Sequence, residues 1–163
     1  MTNEEPQAPS QPHITIYVDA DACPVKDEVY KVAMRYQLPV RVVANTWIQT
    51  PATDRVMPVV VSEGPDAADD WIAERADGWS LVVTADIPLA ARCLERGATV
   101  LGHRGREFTT ASIGDALASR ELSADLREMG IMGKGAAPFG KADRSRFLGK
   151  LDELVHRVRR RAR

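Results

Sequence analysis

Past residue 12 the chain alternates short apolar runs with stretches whose apolar residues recur every three or four positions. Residues 14–18 (ITIYV) are β-branched and predict a strand. Residues 25–37 carry Val29, Val32, Ala33 and Tyr36 at helical spacing, and Pro24 suits the first helical position. Further strands are predicted at 40–44, 56–61, 81–84 and 98–101, with a polar loop over 45–55. Two helices fall between them: 66–76, capped by Asp66 with Trp71 and Ile72 inward, and 89–96, opened by Asp86-Ile-Pro and stopped by Gly97.

After residue 101 the pattern turns helical. Ser112 and Asp115 resemble a capping box for a helix carrying Ile113, Ala116 and Leu117, and Ser123 is expected to start another with Leu126 and Met129. The four glycines of 130–140 (GIMGKGAAPFG) predict a loop. Phe147, Leu148, Leu151, Leu154, Val155 and Val158 then form a strong helical stripe. Near-continuous apolar strands separated by amphipathic helices point to an α/β fold, a three-layer sandwich with a mainly parallel central sheet and a helical C-terminal region.

Composition narrows the class without naming it. With 163 residues, 44% of them hydrophobic, the chain suits one domain, expected over 13–158. Pro6, Pro9 and Pro12 without an apolar cluster make residues 1–12 an expected disordered leader. Net charge is −1, yet it is unevenly spread. Residues 151–163 hold five Arg against Asp152 and Glu153, a net +3, which leaves −4 on the rest. The basic tail, 159–163, is read first as cations favoured at a helix C-terminus and second as a nonspecific nucleic-acid contact. Cys23 and Cys93 form no CxxC and the three His no zinc spacing, while no apolar run reaches a membrane span. A reducing cytoplasm is the expected setting, and a homodimer is left open.

In an open parallel sheet, ligands bind beyond the carboxyl ends of the strands. Asp19 and Asp21 follow the first predicted strand, Asp66, Asp69 and Asp70 follow the third, and Asp86 follows the fourth. Converging carboxylates repel one another unless a cation sits between them. Oxygen-only ligands suit Mg²⁺ or Mn²⁺, either of which can activate a water and hold a phosphate oxygen. Asp19, Asp21 and Asp86 are therefore the candidate catalytic residues, and Asp19, Asp21, Asp69, Asp70 and Asp86 the candidate metal ligands. Each of Asp66, Asp69 and Asp86 taken alone is more often a helix cap or first-turn acid than a ligand.

YVDADACPVKDEVY, VVAN, DAADDWI, VVTADIPLAARCLERGA, LGHRGREFT and DRSRFLGKLD resemble the YaiI/YqxD family from about Ile14 to Leu154. That resemblance implies a PIN-like fold related to metal-dependent ribonucleases, with a Mg²⁺ or Mn²⁺ carboxylate site on Asp19, Asp21, Asp69 or Asp70, and Asp86. The chain departs from the pattern in GKGAAPFGKADR, where relatives carry a Gly-Pro-rich segment, so Lys134, Pro138 and Phe139 inherit no role. Lys26, Arg104, Arg106 and Arg144 are the cations expected to line an RNA groove; each alone also reads as a solvated or ion-paired residue. Trp47 and Trp71 are candidates for base stacking, Trp71 more readily as core. A metal-dependent nuclease or phosphodiesterase acting on RNA is the first expectation, and a non-catalytic RNA- or protein-binding module the second. A haloacid-dehalogenase-type phosphatase using Asp19 ranks third, because Cys23 stands where that motif wants Thr or Val.

Overall fold

A strand buried on both faces has no solvent side for polar residues, and the apolar runs accordingly become the strands of a parallel sheet. The computed structural model describes residues 13–130 and 137–161. The predicted leader, the part of the glycine-rich segment that includes Lys134, and the last two residues of the basic tail lie outside the described residues. The strands are β1 (Thr15–Asp19), β2 (Val40–Ala44), β3 (Val56–Val60), β4 (Ser80–Val83), β5 (Thr99–Leu101) and β6 (Glu107–Phe108). The helices are α1 (Lys26–Tyr36), α2 (Ala67–Arg75), α3 (Ile87–Glu95), α4 (Ile113–Glu128) and α5 (Lys141–Arg161).

The sheet runs β3-β2-β1-β4-β5-β6. β1 pairs in parallel with both β2 and β4, and Val18 lies opposite Val83. β3 forms one edge, where Pro58 costs no ladder hydrogen bond on its open side. β6 closes the other edge antiparallel to β5. It was not expected: two residues carry no periodicity, and the hairpin is made by the backbone, with Gly102 N–H donating to Arg106 C=O at 2.8 Å.

Alternation along β1 separates the two halves of the core. Ile16 and Val18 face α1 and α5, packing with Val29, Val32, Phe147 and Leu151, while Tyr17 faces α2 and α3. Ile72, Leu89, Cys93 and Phe108 fill that second layer, with Ile113 and Ala116 of α4 against it. The architecture is the expected three-layer α/β sandwich.

Several local expectations are corrected. Pro24 precedes α1 by two residues rather than opening it, and Asp66 stands at the N-cap of α2 without a side-chain capping bond. The reciprocal cap of α4 lies one turn earlier than Ser112 and Asp115: Ser112 N–H donates to Thr109 Oγ1 at 3.1 Å and Thr109 N–H to Ser112 Oγ at 3.0 Å. No second helix begins at Ser123, because α4 runs unbroken to Glu128, and Met129 is exposed. Gly97 does stop α3, at φ +85°.

The turn 102–106 is pressed onto α5. Gly105 adopts φ +88°, and a Cβ there would stand 2.8 Å from the carbonyl carbon of Arg146. Gly105→Ala is therefore expected to destabilise the fold by roughly 1–3 kcal/mol, from left-handed strain and a backbone clash that no rotamer relieves. Urea unfolding of wild type and variant measures it.

Candidate functional site

The switch from leftward to rightward strand order falls between β1 and β4. Asp19 closes β1, and the chain leaves β4 through Thr84 and Ala85 into Asp86. Parallel neighbours in register must deliver these turns side by side. A cavity of about 330 Å³ results, with Asp19, Asp21, Asp69 and Asp86 among its lining residues. Four of the five expected ligands thus share one space. Asp70 does not: it is exposed and pairs with Arg92 at 2.8 Å, beside a different depression.

Protein donors fix the carboxylates from behind. Thr84, fully buried, donates its hydroxyl to Asp19 Oδ2 and accepts from Asp86 N–H, both at 2.9 Å. Asp86 Oδ1 accepts from Leu89 N–H at 2.9 Å, so this residue is an N-cap and a cavity residue at once. Asp21 Oδ2 accepts from Asn45 N–H at 3.3 Å. In each case no hydrogen bond within the described residues engages the second carboxylate oxygen.

Electrostatics records the crowding. Asp69 is pushed up to about 6, first by burial and then by the charges of Asp86, Asp19 and Asp66. Burial also raises Asp19, opposed by the Thr84 hydrogen bond and reinforced by Asp86 and Asp21. Asn45 adds a buried side-chain oxygen without a hydrogen-bond partner on the same wall. The donor set is all oxygen at the carboxylates, crowded and like-charged, with an orphaned amide oxygen beside it. It fits a hard divalent cation. Among the described residues no three His, Cys, Asp or Glu side chains are close enough to hold an ion as they stand, so a cation would have to draw these side chains inward.

Thr84, which braces the carboxylates, and the cavity residues Asn45 and His103 were missed. Each had a positional signal: Thr84 is a hydroxyl two residues before Asp86, Asn45 directly follows β2, and His103 follows β5 by two residues. His103 is half-buried, its Nε2 lacks a hydrogen-bond partner, and burial lowers its basicity. Ala22, between Asp21 and Cys23, holds φ +58°, a left-handed conformation uncommon outside glycine and concentrated at functional sites. Cys23 itself is buried, and burial pushes its thiol up to about 11, which disfavours the thiolate.

The four expected cations separate. Arg104 is held by Asp143 at 3.2 Å and by the Ala137 carbonyl, and Arg144 by the Pro24 carbonyl at 2.6 Å and Glu28 at 3.2 Å. Both guanidinium groups lie over the Phe139 ring, at 5.6 and 5.0 Å. These two arginines fasten the start of α5. Lys26 opens α1 and lines neither the acidic cavity nor the groove next to it. Arg106 is exposed, lines that groove, and its side chain makes no ion pair or hydrogen bond within the described residues. Trp47 is 68% exposed, whereas Trp71 is half-buried, edge-on to Tyr17 and under the Arg75 guanidinium at 3.9 Å.

A family model described as an uncharacterized YaiI/YqxD family matches residues 17–157. A UPF0178 protein of Caulobacter sp. (strain K31) is 56% identical over 145 residues, covering 89% of this chain and 96% of its own. Another, of Parvibaculum lavamentivorans, is 57% identical over 146 residues, covering 90% and 96%. A third, of Rhodopseudomonas palustris (strain BisB18), is 54% identical over 145 residues, covering 89% and 94%. No solved structure matches the chain. No helix among the described residues is long and apolar enough to cross a membrane.

Crowding has a measurable consequence. Asp69 titrates near 6 when folded and near about 4 when unfolded, so between those values the native state holds more protons. Its contribution to stability is present below pH 4 and is lost as pH rises through 6. Asp69→Asn is expected to raise the melting temperature at pH 7.5, with the gain shrinking toward pH 4; thermal unfolding across that range measures it.

Proposed function

The chain belongs to the YaiI/YqxD family, and for this member we propose metal-dependent hydrolysis of phosphodiester bonds in RNA, with a PIN-like site. The observation that carries the proposal is the single cavity at the switch point, in which Asp19, Asp21, Asp69 and Asp86 crowd with no ion pair among the described residues. Asp19 and Asp86 would hold a Mg²⁺ or Mn²⁺ ion, with Asp21 and Asp69 assisting directly or through water. Bound there, the ion supplies Lewis-acid polarisation of a phosphate oxygen and lowers the pKa of a water. Thr84 keeps one oxygen of Asp19 oriented and anchors the Asp86 backbone, so the opposing carboxylates are positioned before substrate arrives. Asp69, near 6, is the group whose ionisation such an ion would complete.

A second reading, binding of RNA or protein without cleavage, rests on the observation that no three of these side chains approach closely enough as they stand. The two readings separate on metal. Full-length protein is expected to bind Mn²⁺ by calorimetry and to cleave RNA only when Mn²⁺ or Mg²⁺ is present. Asp19→Asn and Asp86→Asn should each lose roughly 10–100-fold in metal affinity, with cleavage falling alongside, and Asp70→Asn should behave as wild type. Cleavage by Asp19→Asn equal to that of wild type would remove the hydrolase reading; metal binding without cleavage would favour the second.

A further inference from the structure

Next to the acidic cavity lies a larger groove of about 690 Å³, within the roughly 300–1,000 Å³ range of small-ligand clefts. Its walls include Ile87, Phe108, Ala116 and Phe139, so the interior is mainly apolar and partly aromatic. Arg104, Arg106 and Arg120 line it against one acid, Asp115. Arg104 is already taken by Asp143. Arg106 and Arg120 are exposed, and their side chains make no ion pair or hydrogen bond within the described residues. The groove and the acidic cavity share Ala22, Ala85 and His103, so the two spaces adjoin.

We infer that this groove is a nucleoside-phosphate subsite, taking one unpaired base against its apolar wall while Arg106 and Arg120 hold the adjoining phosphate. The inference rests on the hydrolase reading for its place beside a scissile bond, and deepens it by naming what lies next to that bond. An apolar cleft lined with aromatic rings favours a flat, weakly hydrated ring, and two guanidinium groups without carboxylate partners favour an anion joined to it. A simple anion site needs no such cleft, and a purely apolar ligand needs no such cations. A nucleotide satisfies both, and the adjoining carboxylate cavity is where the rest of the strand would run. At the seam His103 presents an unpartnered Nε2, where the sugar between base and phosphate would pass. A base held in the groove cannot at the same time be paired, so the nucleotide beside the scissile bond must be unpaired.

The test uses full-length protein in EDTA, with adenosine 5′-monophosphate, adenosine and inorganic phosphate as calorimetric probes. The monophosphate is expected to bind about tenfold or more tightly than either part alone, since each part makes only some of the contacts. Arg106→Ala with Arg120→Ala should remove about tenfold or more of monophosphate affinity and leave adenosine unchanged. Ala116→Phe, which fills the groove, should abolish both, with its melting curve showing that the fold persists. If that variant unfolds, the exposed arginine pair decides alone. Monophosphate binding no tighter than inorganic phosphate, or unaffected by loss of both arginines, overturns the subsite. Because no metal is present, failure here leaves metal-dependent cleavage standing, and absence of cleavage leaves the subsite standing.

Discussion

Repulsion among carboxylates at the end of two adjacent parallel strands is the constraint around which the rest of this molecule is arranged. Register places Val18 beside Val83, so whatever follows each strand emerges into the same small volume. Here both turns carry aspartates, and α2 adds Asp69 from the flank. Burial makes Asp19 and Asp69 costly to ionise, and the neighbouring carboxylates compound it. An all-structural role would be served as well by Asn or Ser at a cap, without the electrostatic cost. Retaining charge where charge is penalised makes sense when a cation completes the set.

Scaffolding around the cavity is made from neutral hydrogen bonds and distant ion pairs rather than from cations inserted among the acids. Thr84 bridges Asp19 to the backbone of Asp86 with one hydroxyl, acting as donor to one and acceptor from the other. At the start of α5, Asp143 accepts from Gly140 N–H at 2.9 Å and meets Arg104 and Arg146. The Gly140 bond, with both guanidinium groups beside it, holds the Asp143 carboxyl below its ordinary range. Arg157 and Glu107 similarly tie α5 to β6. Arg104, Arg144 and Arg157 thus serve to dock α5, which leaves Arg106 and Arg120 as the exposed cations of the groove.

Much of this was legible in the sequence, for a physical reason. The inner strands are largely buried, so their β-branched runs stand out from the amphipathic stretches between them, and five of the six strands were placed within a residue or two. Asp19 and Asp86 could be singled out because the switch-point rule converts a position in the chain into a position in space. What failed depends on contacts between distant segments. β6 is two residues long and exists because the 102–106 turn folds back on itself. The cap of α4 was assigned to the right residue type one turn late, since Thr109 and Ser112 each offer a hydroxyl. An ion-paired Arg144 was one reading of the sequence, but its partner Glu28, and Asp143 as the partner of Arg104, come from distant segments. Asp69 and Asp70 are adjacent in sequence, and only the rotation of α2 decides which one meets the cavity.

Diffraction from crystals grown with Mn²⁺, recorded at the manganese absorption edge, tests the account most directly. An anomalous peak between Asp19 and Asp86, within bonding distance of at least one oxygen of each, is the predicted result. A cavity in which those carboxylates keep their spacing at millimolar Mn²⁺, with no peak among them, would contradict it.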